Sequence, residues 1–158
     1  MSVFFTGREM LETAIEIERD GFAFYSELAR LGKAKFTFDY LAGQEKRHES
    51  LFKGMLDSLG QAPPPESYTG ELALYIKTLA SGRVFKSPKE AREVAQKLST
   101  AEAIRTAVGI EKDSILFYGE MKGLVRKEDR SLVDRILDEE RGHMLQLSEL
   151  LTQMEQTE

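Results

Sequence analysis

The chain has 158 residues, 41% of them hydrophobic, which is enough for one domain with a single core. It contains no cysteine, which excludes a disulfide framework, a thiolate metal site, an iron–sulfur cluster and a cysteine nucleophile. The net charge of -5 provides no basic surface for nucleic acid or for a membrane. Because the sequence shows neither a basic leader nor a long apolar run, we expect a cytoplasmic protein in which residues 1–158 form one domain.

The first half of the sequence predicts two long helices. The first starts at Thr6, where Thr6-Gly7-Arg8-Glu9 has the form of a capping box, and ends at Gly32. Its apolar stripe is Leu11, Ile15, Phe22, Tyr25 and Ala29. The second runs from about Phe36 to Leu59, and Gly60 followed by Pro63-Pro64-Pro65 ends it. Its stripe is Leu41, Phe52, Met55 and Leu59.

The second half predicts two more long helices after a segment of about 40 residues. That segment, 60–98, holds one short helix over 71–80 and another that Ser87-Pro88 opens. A capping box at Ser99-Thr100-Ala101-Glu102 starts the third long helix, and Asp129 or Ser131 caps the fourth. Alternating strand patterns are absent from the sequence, so the predicted fold is an all-α four-helix bundle with one long crossover.

The two halves of the sequence repeat each other. Residues 17–28 match residues 110–121 at an offset of 93, and the second helix matches the fourth at an offset of 95. The chain therefore reads as a duplicated helical hairpin, and we expect a pseudo-twofold axis between the halves.

Polar residues interrupt the apolar stripes at equivalent places in all four helices. The second and fourth helices each carry a Glu-x-x-His turn at interior positions, and the first and third each carry one interior glutamate. These residues are Glu18, Glu45, His48, Glu111, Glu140 and His143. Four buried carboxylates repel one another, and no Lys or Arg lies on these stripes to compensate. Two divalent metal ions would balance the charge, and each Glu-x-x-His spacing places both side chains within reach of one ion.

These motifs resemble the rubrerythrin branch of the ferritin-like superfamily of di-iron carboxylate proteins, over essentially the whole chain. The resemblance implies a ferritin-like bundle in which Glu18 and Glu111 are terminal ligands and Glu45 and Glu140 bridge two metal ions. His48 and His143 would each complete the coordination of one ion. It also implies that Tyr25 and Tyr118 donate hydrogen bonds to ligand carboxylates, although ordinary core packing is the alternative reading of these tyrosines.

The sequence departs from rubrerythrins at two points. Ser114 stands where they carry a further glutamate that takes part in a metal shift, and the cysteine-ligated iron of their rubredoxin domain has no counterpart here. The repeat equivalent of Ser114 is Gly21. These two small residues either leave space beside the metals for water, peroxide or dioxygen, or simply allow close helix packing.

We expect from this reading a di-iron oxidoreductase that reduces hydrogen peroxide or dioxygen with electrons from a separate donor protein. The alternatives are iron binding with ferroxidase activity or metal buffering, and a structural bundle that metals hold together. Iron is the expected metal, and zinc or manganese would fit the same ligands. A second apolar stripe, Ile17, Phe24, Ile110 and Phe117, is covered either by the crossover or by a second subunit, and we expect a homodimer.

Overall fold

The computed structural model of the chain describes residues 4–59 and 67–157. Four long helices form the bundle: α1 (Gly7–Arg30), α2 (Lys35–Leu59), α5 (Thr100–Met121) and α6 (Arg130–Gln156). The crossover between α2 and α5 carries two shorter helices, α3 (Gly70–Ser81) and α4 (Pro88–Lys97). The predicted all-α bundle with a long crossover is confirmed. Gly60 and Pro63–Pro65, which were expected to end α2, lie outside the described residues.

A small antiparallel ribbon was not predicted from the sequence. Strands β1 (Phe4–Thr6) and β2 (Ser67–Thr69) pair so that Phe4 lies opposite Thr69 and Thr6 opposite Ser67. The expectation that strands are absent was wrong, because strands of three residues are too short to show an alternating pattern in the sequence.

The helix ends follow the local sequence, with one exception. Thr6 Oγ1 accepts a hydrogen bond from the Glu9 amide at 3.1 Å, and Ser99 forms a complete capping box with Glu102. Gly32, at φ +75°, terminates α1 in the left-handed conformation that glycine adopts without strain. The carboxylate of Asp129 does not cap α6, because it accepts hydrogen bonds from Arg126 instead.

Two apolar clusters fill the bundle, one toward each end. The first includes the buried apolar residues within 10–17 of α1 and 52–59 of α2, and the second includes those within 23–29 of α1 and 38–42 of α2. Helices α5 and α6 also contribute residues to both clusters. Between the clusters, each long helix contributes buried polar residues. The fold therefore brings the interrupted positions of all four stripes to one level of the bundle.

The second apolar stripe is covered by the crossover. Phe24 and Phe117 are fully buried, and the Phe24 ring lies 4.9 Å from the ring of Phe85, in the segment between α3 and α4. This stripe therefore gives no reason for a second subunit, and the homodimer stays a prediction.

One residue of the α1 stripe was placed wrongly from the sequence. Phe22 was expected in the core, but it is 37% exposed and the Lys46 ammonium lies 5.3 Å from its ring centre.

None of the helices in the described part of the chain combines the length and the apolar character needed to span a bilayer.

Candidate metal centre

Six buried side chains meet at the polar level of the bundle, and they are the six candidate ligands. None of the six side chains is more than 4% exposed. They are Glu18, Glu45, His48, Glu111, Glu140 and His143. Each long helix delivers its residues there because the interrupted stripe faces inward. The i, i+3 spacing in α2 and α6 directs glutamate and histidine to the same point.

The ligand atoms form two groups that share two carboxylates. One group is Glu18, Glu45, His48 and Glu140, and the other is Glu45, Glu111, Glu140 and His143. Within each group the ligand atoms lie within 4.8 Å of one another. The two sets of four donors have Glu45 and Glu140 in common, so two ions bound there would share both carboxylates.

Seven polar atoms of this cluster are buried without hydrogen-bond partners. They are Glu18 Oε2, Glu45 Oε1, His48 Nδ1, Glu111 Oε2, both Glu140 oxygens and His143 Nδ1. His48 Nδ1 and Glu140 Oε1 approach to 2.7 Å in an arrangement that does not align as a hydrogen bond. Buried polar atoms are costly unless something satisfies them, and an oxygen- and nitrogen-rich set converging from four helices fits metal ions.

The electrostatics of the cluster show how strongly it needs positive charge. Burial, together with neighbouring carboxylates, raises the pKa of Glu45 and of Glu111 well above the usual range. Burial opposes the charged form of His48, but the carboxylates of Glu140 and Glu18 outweigh it and raise its pKa to about 11. Protons therefore compensate the charge when no metal is bound, and metal binding would displace them.

Glu140 differs from Glu45 and Glu111 in the direction of its pKa shift. Burial alone would raise the pKa of Glu140, but the neighbouring Glu111, His143 and His48 side chains hold it below its usual value. Glu140 thus lies at the centre of the cluster's charge distribution, in contact distance of both imidazoles.

Two tyrosines bind candidate ligands across the bundle in a reciprocal arrangement. Tyr25 of α1 donates to Glu111 Oε1 of α5 at 2.9 Å, and Tyr118 of α5 donates to Glu18 Oε1 of α1 at 2.5 Å. Burial raises the pKa of both tyrosines well above its ordinary value, so both remain protonated donors. These hydrogen bonds fix the orientation of the two carboxylates, and the Oε2 atom of each is buried without a hydrogen-bond partner.

Glu139 also contacts the cluster, and sequence reasoning missed it. Its Oε2 lies 2.7 Å from His48 Nε2, and it also binds Arg47. These hydrogen bonds hold its pKa below the usual value although partial burial acts in the opposite direction. Histidine ligands commonly donate their second nitrogen to a carboxylate, so a Glu beside the Glu-x-x-His turn was the available signal.

The space expected beside Gly21 is filled on its inner side. A β-carbon at this position would lie 2.7 Å from Glu45 Oε2, so the glycine accommodates the carboxylate of a candidate bridging ligand. Ser114, its repeat equivalent, is buried and donates to the Ile110 carbonyl one turn earlier. The missing side chain of Gly21 therefore provides close packing of Glu45 against α1.

Comparisons with known proteins agree with this arrangement. The rubrerythrin family model matches residues 9–151, a range that includes all six candidate ligands. A solved structure similar to this chain is described as a ferritin-like diiron-carboxylate protein from Thermotoga maritima. It is 29% identical, has a TM-score of 0.73, and the similarity covers 94% of this chain and 95% of that chain. No relative was found among curated protein sequences. Because the family match spans most of its length, the chain belongs to the rubrerythrin family.

Proposed function

We propose that the chain binds two iron ions at this centre and reduces hydrogen peroxide to water, with electrons from a separate donor protein. The observation that carries the proposal is the set of buried, unpartnered ligand atoms in two groups that share Glu45 and Glu140. The description of the similar solved structure as a diiron-carboxylate protein supports iron as the metal.

In this proposal the ligands divide between the ions by proximity. Glu18 and His48 would hold one ion, Glu111 and His143 the other, and Glu45 and Glu140 would bridge them. Two divalent ions carry four positive charges, which balance four carboxylates while both imidazoles stay neutral. The positive charge would offset the burial and the carboxylate repulsion that raise the pKa of Glu45 and of Glu111.

Two ferrous ions would supply one electron each, and reduction of one peroxide molecule to two water molecules takes two electrons and two protons, the protons coming from the solvent. The chain's own part is to hold the ligand carboxylates in place and to exclude bulk water. Tyr25 and Tyr118 orient Glu111 and Glu18 by hydrogen bonds, and the apolar clusters on either side close the centre from solvent.

The test is a peroxide reaction of the fully reduced protein. Protein loaded with ferrous iron without oxygen should contain two ions per chain, and hydrogen peroxide should oxidise them with a rapid change in the absorption spectrum. Protein loaded with zinc is the matched control, because zinc has no redox chemistry. An iron form that peroxide leaves unchanged would contradict the proposal. Continued uptake of iron beyond two ions per chain during oxidation would favour iron storage.

A further inference from the structure

Three cations surround one buried carboxylate on the surface where α1 and α2 pack together. Arg19 Nε lies 2.8 Å from Glu49 Oε2, and Lys53 Nζ lies 3.1 Å from the same atom. Lys46 Nζ lies 3.6 Å from Glu49 Oε1. The Glu49 side chain is 7% exposed, whereas the three cations are between 47% and 63% exposed. This cation cluster therefore presents a net charge of +2 to solvent.

The surplus of positive charge distinguishes the cation cluster from other ion pairs on the surface. Exposed pairs of one cation with one carboxylate include Lys35–Asp39, Arg105–Glu155 and Lys122–Asp134. Glu12 and Glu16 line a groove beside two of the clustered cations. Each of these glutamates has another partner, because Arg8 lies 3.7 Å from the first and Arg83 lies 3.0 Å from the second. Their charges are thus already balanced.

The repeat in the sequence does not preserve the cation cluster. In α6, Met144 and Ser148 stand where α2 has the buried carboxylate and one of its lysines. The equivalent of the other lysine is Arg141, which pairs with Asp138 at 2.8 Å. Three cations around one carboxylate are therefore a feature of the first half of the chain.

The cation cluster lies beside one half of the candidate metal centre. Three of its members each follow a candidate ligand directly in the chain, and the adjoining pairs are Glu18–Arg19, Glu45–Lys46 and His48–Glu49. These three ligands belong to one of the two metal-binding groups. Next to Lys46, the 37% exposed ring of Phe22 adds an apolar contact surface. A molecule bound here would be separated from those ligands by little more than helix backbone.

We propose that the cation cluster, together with Phe22, is the docking surface of the separate electron donor, and that this donor is a small acidic one-electron carrier protein. The inference rests on the proposed function, which needs such a donor. Positive charge attracts and orients an acidic partner. Electron-transfer complexes are small and weak, so a surface of three cations and one aromatic ring suits them. Two encounters, each of which oxidises one carrier by one electron, would return both iron ions from the ferric to the ferrous state.

The first test measures docking without a redox reaction. The zinc-loaded protein is mixed at low ionic strength with an acidic plant-type ferredoxin, a small carrier that holds a [2Fe–2S] cluster. The paramagnetic iron of the ferredoxin should broaden the amide NMR signals of the cation cluster and of Phe22. Signals of Lys112 and Arg141, the repeat equivalents of Arg19 and Lys46, should broaden less. Added salt should remove the effect, because it screens exposed charges.

Charge reversal tests whether the cation cluster causes the binding. Lys46→Glu combined with Lys53→Glu should weaken ferredoxin binding by about tenfold or more. The control, Lys112→Glu combined with Arg141→Glu, changes the net charge equally on the other half of the bundle and should keep the affinity within about twofold of the wild type. K46Q/K53Q removes the two charges without adding repulsion around Glu49, so it serves if the reversed variant does not fold, and its affinity should lie between the two.

Two results of these binding experiments would overturn the proposal. One is an equal loss of affinity in K46E/K53E and K112E/R141E, because the effect would then depend on total charge and not on the cation cluster. The other is a wild-type dimer that dissociates in K46Q/K53Q, because a second copy of this chain would then occupy the surface.

Electron transfer separates this proposal from the proposed function. Reduced ferredoxin should transfer electrons to the ferric protein more slowly in K46Q/K53Q than in K112E/R141E, while peroxide should oxidise both ferrous variants at the wild-type rate. If peroxide does not oxidise the ferrous wild type but the binding results hold, the proposed function fails and the docking surface stands. If peroxide oxidises it but ferredoxin binds elsewhere or not at all, the docking surface fails and the proposed function stands.

Discussion

The two halves of the candidate metal centre carry the same Glu-x-x-His turn, but the histidine has different contacts in each half. His48 Nε2 lies 2.7 Å from Glu139, which Arg47 also binds. His143 Nε2 makes no hydrogen bond within the described part of the chain, and the ring of Tyr40 approaches His143 edge-on at 6.1 Å. The repeat equivalent of Glu139 is Gln44, whose Oε1 accepts from Arg47 at 3.2 Å instead of reaching His143.

This difference shows that the duplication preserved the candidate ligands while the surrounding contacts diverged. A carboxylate that holds the second nitrogen of a histidine fixes the ring and makes the other nitrogen a stronger donor. We therefore expect the ion beside His48 to bind more tightly than the ion beside His143. Because Glu45 and Glu140 belong to both groups, a change in either of them should affect both ions.

Substitution of the shared carboxylates should have the largest effect, because it should abolish metal binding in both halves. Glu45→Ala or Glu140→Ala removes a ligand from each group, so both ions should be lost, as measured by metal content after anaerobic loading. Glu149→Ala, an exposed change in the same helix as Glu140, should keep two ions per chain. Two ions retained by both shared-carboxylate variants would contradict the bridging assignment.

The histidines should separate the halves. His48→Ala and His143→Ala each remove a ligand from one group only. In each variant, the ion that has lost its histidine should therefore bind more weakly than the second ion. A titration with ferrous iron should show that H143A keeps the tighter of the two sites and H48A the weaker. Identical titration curves for the two variants would show that the contact with Glu139 does not distinguish them.

Glu139 itself offers a sharper probe of the asymmetry. Glu139→Ala should weaken binding of one ion by about 10–100-fold and leave the other nearly unchanged, because only His48 loses its support. Gln44→Ala, at the repeat-equivalent position, should leave both affinities within error of the wild type. The measurement is a competition titration against a chelator of known affinity. An equal loss at both ions in E139A would contradict the account.

Substitution of the tyrosines should have the smallest effect on metal binding, and the effect should be nearly equal in the two halves. Tyr25→Phe and Tyr118→Phe each remove one hydrogen bond to a candidate terminal ligand. Each substitution should weaken metal binding by about tenfold, which is the lower end of the range seen when a contact that orients a ligand is lost. Tyr75→Phe, at a residue 44% exposed, is the control and should have no effect. A large difference between Y25F and Y118F would mean that the halves also differ at this level.

The sequence predicted the bundle and the cluster because both depend on periodicity. Charged residues on an apolar stripe, repeated in both halves, are visible without a structure, and so Glu18 and Glu111 could be chosen among many glutamates. The Thr6 and Ser99 caps were likewise predictable, since each depends on residues three positions apart.

The parts that escaped prediction depend on contacts between elements that are distant in the sequence. Glu139 lies beside a ligand on α6, and its role arises only where α6 passes α2. Gly21 was visible as a small residue, but the sequence does not show that Glu45 packs against it. Phe22 fits the helical stripe, yet its position on the bundle leaves it under Lys46 at the surface.

The central claim is that two ions lie between Glu45 and Glu140. The most direct test is a crystal structure of the anaerobically iron-loaded protein, with anomalous scattering recorded on both sides of the iron absorption edge. The account predicts two iron peaks per chain, one beside Glu18 and His48 and the other beside Glu111 and His143. A single peak, or iron bound elsewhere while the cluster keeps its protons, would contradict it.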